Sequence, residues 1–483
     1  MKGDLTAKVA NATKWSAVTE IVAKLVLPVT SMVLARILTP DAFGVVATIS
    51  MIITFAEIFT DAGFQKYIIQ HNFLDDLSLD KSVNVAFWSN LVLSLIIWFI
   101  IIIFSDPLSY FVGNPGLGNV ISVSCMSIPL AAFSSIQMAV YKRSLEYKIL
   151  FKVRMAGVII PLVVTIPLAI VLKSYWAIII GTIAQNIINA FLLTIYSPWK
   201  PKLFYDWNIL KEMLSFSIWS MIESVSIWLT SYVDVFVVGT LLSQYYLGLY
   251  KTTISLVGQI MGIITATTTS ILFSALSRLQ DNDLEFKKLF YNFQLIVSSL
   301  LFPIGIILLL FNKPITELLL GPQWLEVSEF IGLWGITSAI AIVFASYCGE
   351  VYRAKGKPKV SVLVQWLHLI ILIPVIIIAS KYNFRILYIS RTLVRFEAVF
   401  INLVAVYLVA GLSFKYMLKN MTPVIIASII MLLVAYLYNI LNITSILIDF
   451  IAITISCILY VLILYIFPKT RSMIHNIVKR RIV

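Results

Sequence analysis

Apolar runs of about twenty residues recur along the whole chain, and this recurrence leaves few folds open. A helix needs roughly that length to cross about 30 Å of hydrocarbon. In lipid every backbone N–H and C=O must be satisfied within the element, so each run reads as helix. Fourteen spans fit: 15–37, 42–64, 83–104, 119–141, 155–173, 175–197, 215–238, 246–272, 290–311, 327–349, 360–379, 386–410, 422–440 and 446–467. The chain reads as an all-α integral membrane protein with fourteen transmembrane helices. Composition agrees: 60% hydrophobic, 12% charged and a mean hydropathy of +0.97 lie outside the range of soluble chains. Connections are short, which leaves little room for an external catalytic region.

Orientation follows from the basic residues. Of 36 lysines and arginines, only Arg36, Lys173, Lys313, Lys381 and Arg385 fall in the outer segments when the N-terminus is placed inside. Lys24, Lys251, Arg391 and Arg395 lie within spans, and all the others fall in the inner segments. Both termini are therefore expected on the cytoplasmic side. The net charge of +13 is then topology and contact with anionic membrane lipids, with no nucleic acid as a partner. Cys125, Cys348 and Cys457 sit singly in apolar runs and form no disulfide or metal-ligand pattern.

The chain also repeats itself. Shifted by 204 residues, Trp15, Ser16, Leu25, Val29, Val33, Leu38, Gly44 and Thr48 fall on Trp219, Ser220, Leu229, Val233, Val237, Leu242, Gly248 and Thr252. A period near 200 is the length of a six-helix membrane half. The expected organisation is an N-terminal lobe over 1–204, a C-terminal lobe over 205–412, and two added helices with a basic tail over 413–483. Transporters built this way place the substrate path between their repeats.

A charge at mid-bilayer costs on the order of 3 kcal/mol, yet several spans keep charges. Arg391 and Arg395 are one helical turn apart and cannot shed their protons. They need an acidic partner, water or an anionic ligand, and guanidinium forks match phosphate oxygens. Glu20 and Lys24 share a face and can pair. Glu57 and Asp61 also share a face, where crowding and poor solvation favour a shared proton; the alternative puts Asp61 at the wet end of its helix. Asp234 stands near an outer helix end and is a candidate partner for Arg36 in an outer gate, or else a residue in interfacial water. Glu223, Lys251, Gln365, His368 and Glu397 complete the set.

No phosphate-cradling GxxxxGK[ST] loop, HExxH, paired-cysteine site or nucleophile elbow is present, which argues against an ATP-driven pump and against an enzyme. Several segments in order, SMVLARILTPDAFGVVA (31–47), YVDVFVVGTLLSQYYLGLY (232–250), FSALSRLQ (273–280), KPITELLLGPQW (313–324) and YRAKGKPK (352–359), resemble landmarks of the Wzx-type oligosaccharide flippases. These form the lipopolysaccharide and teichuronic acid exporter branch of the multidrug/oligosaccharidyl-lipid/polysaccharide exporter superfamily. The resemblance implies two six-helix lobes in a V with two further helices, in the bacterial cytoplasmic (inner) membrane. It implies alternating-access export of a polyprenyl-pyrophosphate-linked oligosaccharide for surface polysaccharide biosynthesis. Multidrug exporters of the same superfamily and peptidoglycan-precursor flippases are the alternatives. A cationic cavity is implied for the pyrophosphate, with Arg391, Arg395 and Lys24 as candidates. No cofactor is expected; H+ or Na+ coupling is, with Glu20, Glu57, Asp61, Asp234 and Arg36 as candidates for coupling and gating. Polysaccharide polymerase and chain-length machinery are the expected protein partners.

Overall fold

A computed structural model describes residues 2–479 apart from 62, 74, 198 and 441–444. The side chains of Trp219, Ser220 and Glu223, used in the sequence reading, lie outside the described set. Among the described residues the chain is helical with no strand. Among the described residues, fourteen helices are long and apolar enough to cross a membrane. These are α1 (Val18–Ile37), α2 (Pro40–Asp61), α3 (Asp76–Ile103), α4 (Gly118–Arg143), α5 (Tyr147–Leu172), α6 (Trp176–Tyr196), α7 (Ser224–Leu241), α8 (Gln244–Ala266), α9 (Asp283–Leu310), α10 (Pro322–Ala354), α11 (Lys359–Ser380), α12 (Phe384–Ala410), α13 (Thr422–Ile440) and α14 (Leu447–Ile466).

The repeat is visible in the helix ends. The helix carrying α1 runs Lys2–Ile37 and the one carrying α7 runs Trp207–Leu241, so both stop at positions 204 apart. The next helices begin at Pro40 and Gln244, again 204 apart. Local chemistry sets these boundaries. Pro40 occupies the first turn, where a missing N–H costs nothing. The Asp206 carboxylate accepts from Asn208 N at 2.8 Å and opens the Trp207 helix. Asp75 likewise accepts from Ser78 N at 2.7 Å to start α3, and that amide holds its carboxyl below the usual carboxylate range.

Gly44 and Gly248 explain why the echo survives at that spot. A Cβ on Gly44 would strike the Gln244 carbonyl, and one on Gly248 would strike the Pro40 carbonyl. Pro40 and Gln244 are related by the same 204-residue shift as the glycines. The two contacts are therefore copies of each other about a local two-fold axis, and only glycine lets the helices cross so closely.

By its contacts the chain forms two compact units, Met1–Lys251 and Thr252–Val483. These units are set by packing, whereas the expected division at 204 and 412 follows the sequence repeat. α7 packs along α2 and against the short helix Phe64–Gln70, which carries the first unit past the repeat boundary. α13 and α14 pack on α9 and on each other, so 413–483 is part of the second unit. Asn439 Nδ2 donates to Leu310 O at 2.7 Å, and Tyr460 donates to Ser299 O at 3.2 Å, tying both helices down.

Basic residues between the spans also hold local structure. Arg143 Nη1 donates to the carbonyls of Ile68 and His71, both at 2.8 Å, and so closes the end of Phe64–Gln70. Lys202 meets Asp80 at 2.9 Å, and Lys355 meets Asp283 at 2.7 Å. Tyr67 donates to Glu212 at 2.9 Å, and burial beside that carboxylate pushes its hydroxyl pKa up. Large apolar side chains left exposed, such as Phe99, Val171, Leu408 and Leu447, lie on membrane-crossing helices, where lipid is the solvent.

Candidate functional site

α12 carries the two arginines. Asn383 accepts from Ile386 N at 2.9 Å to begin it, and Gly411, at a φ of 62°, supplies the left-handed residue that ends it. The 3.6-residue period then puts Arg391 and Arg395 on one face. Both guanidiniums converge on one ring: the Arg395 Cζ lies 3.8 Å from the centroid of Trp334 and that of Arg391 lies 5.1 Å away. Arg395 Nη1 also donates to Ser338 Oγ at 2.5 Å. Arg391 is only 8% exposed, so its guanidinium is not a tip reaching for the interface. The face of an indole attracts cations, and a desolvated contact of this kind is worth about 2 kcal/mol.

Trp334 and Ser338 belong to α10, and its local sequence explains how they are presented. Gly335 sits against Leu308 of α9, where an added Cβ would come within 2.7 Å of the leucine Cβ, so α9 and α10 pack tightly there. Beside that contact runs a stripe of Trp334, Ser338, Ile342, Ser346 and Glu350, each four residues after the last, that lines a cavity. Four residues overshoot a full α-helical turn by about 40°, so such a stripe would drift off its face. A π-helical turn over Ile342–Ser346 holds one extra residue and takes back most of that drift.

With Ile254, Gly258, Met261 and Thr265 of α8, and Thr269 where the same helix runs on to Arg278, this stripe and Arg395 enclose a cavity of about 420 Å³. Tyr347 and Thr268 share a hydrogen bond at its wall, 2.7 Å long. Glu350, 3% exposed, pairs with Arg353. The site therefore offers a planar cation on an aromatic shelf, several hydroxyls and one carboxylate already neutralised by its neighbour. Chemically it suits an anion that accepts hydrogen bonds.

The other candidates fall elsewhere. Lys24 is half-buried and Glu20 exposed on α1; no ion pair joins them among the described residues. Glu57 and Asp61 do share a face of α2 and lie close enough to act on each other. Asp61 Oδ1 is buried without a hydrogen-bond partner. Asp234 is 4% exposed rather than bathed in interfacial water, and it accepts from Tyr250 Oη at 2.9 Å and from Val235 N at 2.8 Å. Arg36 is exposed in the last turn of α1. Lys251 lies over the Tyr232 ring at 4.5 Å. His368 pairs with Glu397, Nδ1 to Oε2 at 2.9 Å.

Sequence reasoning missed Trp334, Ser338 and Glu350. Their shared spacing of four was available, but an i+4 stripe over sixteen residues is not a straight-helix pattern, and only the π turn makes it one face. The first unit holds a contrasting cavity of about 700 Å³ among α2, α3 and α7, lined by apolar side chains such as Met51, Phe55, Ile97, Phe104, Trp228 and Phe236.

Residues 33–329 match the model of a family described as polysaccharide biosynthesis protein. A Klebsiella pneumoniae protein described as "Uncharacterized membrane protein in cps region" is 24% identical over 385 residues, 78% of each chain. The Escherichia coli (strain K12) "Lipopolysaccharide biosynthesis protein WzxC" is 21% identical over 383 residues, 78% of this chain and 76% of that one. Among solved structures, "Lipid II flippase MurJ, inward closed conformation" superposes with a TM-score of 0.72 at 14% identity, covering 95% of this chain and 99% of that one. At that identity the likeness is one of fold.

Proposed function

Because the chain belongs to the polysaccharide biosynthesis protein family, we propose that it is a flippase for a lipid-linked oligosaccharide. It carries a polyprenyl-pyrophosphate-linked repeat unit from the inner to the outer leaflet of the bacterial cytoplasmic membrane, with both termini cytoplasmic. Movement is by alternating access and draws on an ion gradient rather than on a bound cofactor. It makes and breaks no covalent bond, and polymerase and chain-length machinery take up its product. The observation that carries this reading is the pair Arg391 and Arg395 gathered on Trp334 at the polar cavity. Moving a pyrophosphate through hydrocarbon is prohibitive unless fixed polar groups replace its water, and paired guanidiniums do so with matching geometry.

The test is genetic. Deletion should abolish a surface polysaccharide while lipid-linked repeat units accumulate in the inner leaflet, and the wild-type chain should restore export. Polymer unchanged on deletion, with new sensitivity to cationic drugs, would overturn the reading in favour of a multidrug exporter.

A further inference from the structure

The α11–α12 interface holds an ionisable pair that headgroup binding alone leaves unused. His368 and Glu397 meet at 2.9 Å, and their side chains are 13% and 20% exposed, so both have lost most of their water. The second carboxylate oxygen, Glu397 Oε1, is buried and has no hydrogen-bond partner. A closed structural bridge would satisfy that oxygen, since leaving it bare is costly. From α12, His368 feels Glu397, Arg391 and Arg395, all close enough to act on it electrostatically. The last turns of α10, which also pack on α11, bring Glu350 and Arg353, already joined to each other. On α11 itself the polar neighbour one turn away is Gln365.

We infer that the His368–Glu397 pair is a proton-binding site whose occupancy sets the affinity of the adjoining arginine cavity for its anionic headgroup. This rests on the flippase reading and adds a regulator to the same site. The charges decide the sign. With His368 neutral, Glu397 offsets one of the two guanidiniums and the cluster carries one net positive charge. With His368 protonated, the pair is neutral in itself and both guanidinium charges stand. An anion beside Arg395 then gains from the proton, and by linkage the proton gains from the anion. Imidazole is the side chain that, in water, gains and loses its proton nearest neutrality, which makes His368 the member of the pair that takes up the proton. One unit of charge acting across about 10 Å at an effective dielectric near 20 corresponds to roughly a tenfold change in affinity. Proton and headgroup are thus co-ligands of this conformation rather than competitors.

The experiment uses the full chain in lipid nanodiscs and a farnesyl-pyrophosphoryl-N-acetylglucosamine probe, a pyrophosphate diester whose own charge is constant across the range tested. Wild type should bind it about tenfold tighter near pH 5.5 than near pH 8. His368→Gln should bind weakly at both, and His368→Lys tightly at both, a rescue that an imidazole serving only to pack would not give. Should His368→Gln fail to reach the membrane, Glu397→Gln carries the test, because removing the offsetting charge should raise affinity near pH 8 to the wild-type acid value. If His368→Gln keeps the full wild-type pH dependence, the proton site is overturned while headgroup binding stands. If wild type binds no probe at either pH, or Arg395→Ala binds as well as wild type, the underlying flippase site fails instead.

Discussion

The cavity among α2, α3 and α7 presents only apolar walls to about 700 Å³, whereas the smaller one among α8, α10 and α12 keeps an arginine, a glutamate, two serines and two threonines in its lining. The first fits the solvent around it and needs no explanation beyond packing. The second stands against a cost, because each group was desolvated to be there. The repeat sharpens the contrast. α6, the counterpart of α12 in the first half, is WAIIIGTIAQNIINAFLLTIY and has no charged residue, while α12 carries Arg385, Arg391, Arg395 and Glu397. Duplication has kept the scaffold, down to the Gly44 and Gly248 crossing, and has let the chemistry diverge. The shared glycine positions report packing, and the differing ones carry the charges on which the proposed function rests.

The largest expected effect comes from filling the polar cavity. Gly258 lines it, and a Cβ built there meets nothing within 4 Å, so Gly258→Trp should fold normally and reduce export to background, with thermal melting as the control. Next comes Trp334→Leu, which keeps apolar bulk and removes the π face. Losing about 1–2 kcal/mol of cation–π attraction predicts a five- to thirtyfold drop in headgroup affinity, with Trp334→Phe recovering most of it. Asn383→Ala removes the cap that starts α12 and should cost about 1 kcal/mol of stability, read as a lower melting temperature, with Asn383→Asp neutral. The smallest effect is expected in the other cavity. Ile97→Trp should leave affinity for a short-chain headgroup analogue within twofold; a loss comparable to that of Gly258→Trp would erase the distinction between the two cavities.

Much of the fold is legible in the sequence. Span length acts locally, so local reading finds it. The 204-residue echo is legible for the same reason: at Gly44 and Gly248 a steric demand admits one residue type. The end of the first packed unit at Lys251 is not legible in the sequence, because it depends on where α7 packs and not on what α7 is. The arginines were recognised as costly, since charge in an apolar run stands out. Trp334 was not, since one tryptophan in a hydrophobic span looks like any core residue until the π turn at Ile342–Ser346 aligns its stripe. His368 looked solitary because its partner Glu397 lies on the next helix, 29 residues away.

The most direct test of the central claim is flipping itself, measured in proteoliposomes as the appearance of a fluorescent polyprenyl-pyrophosphate-linked oligosaccharide on the opposite leaflet. Wild-type chain should move the lipid well above empty vesicles, and Arg391→Ala/Arg395→Ala, inserted in equal amount, should reduce the rate to that of empty vesicles. A double variant that flips at the wild-type rate would contradict the account, because the charges on Trp334 would then be structural and the headgroup would be held elsewhere.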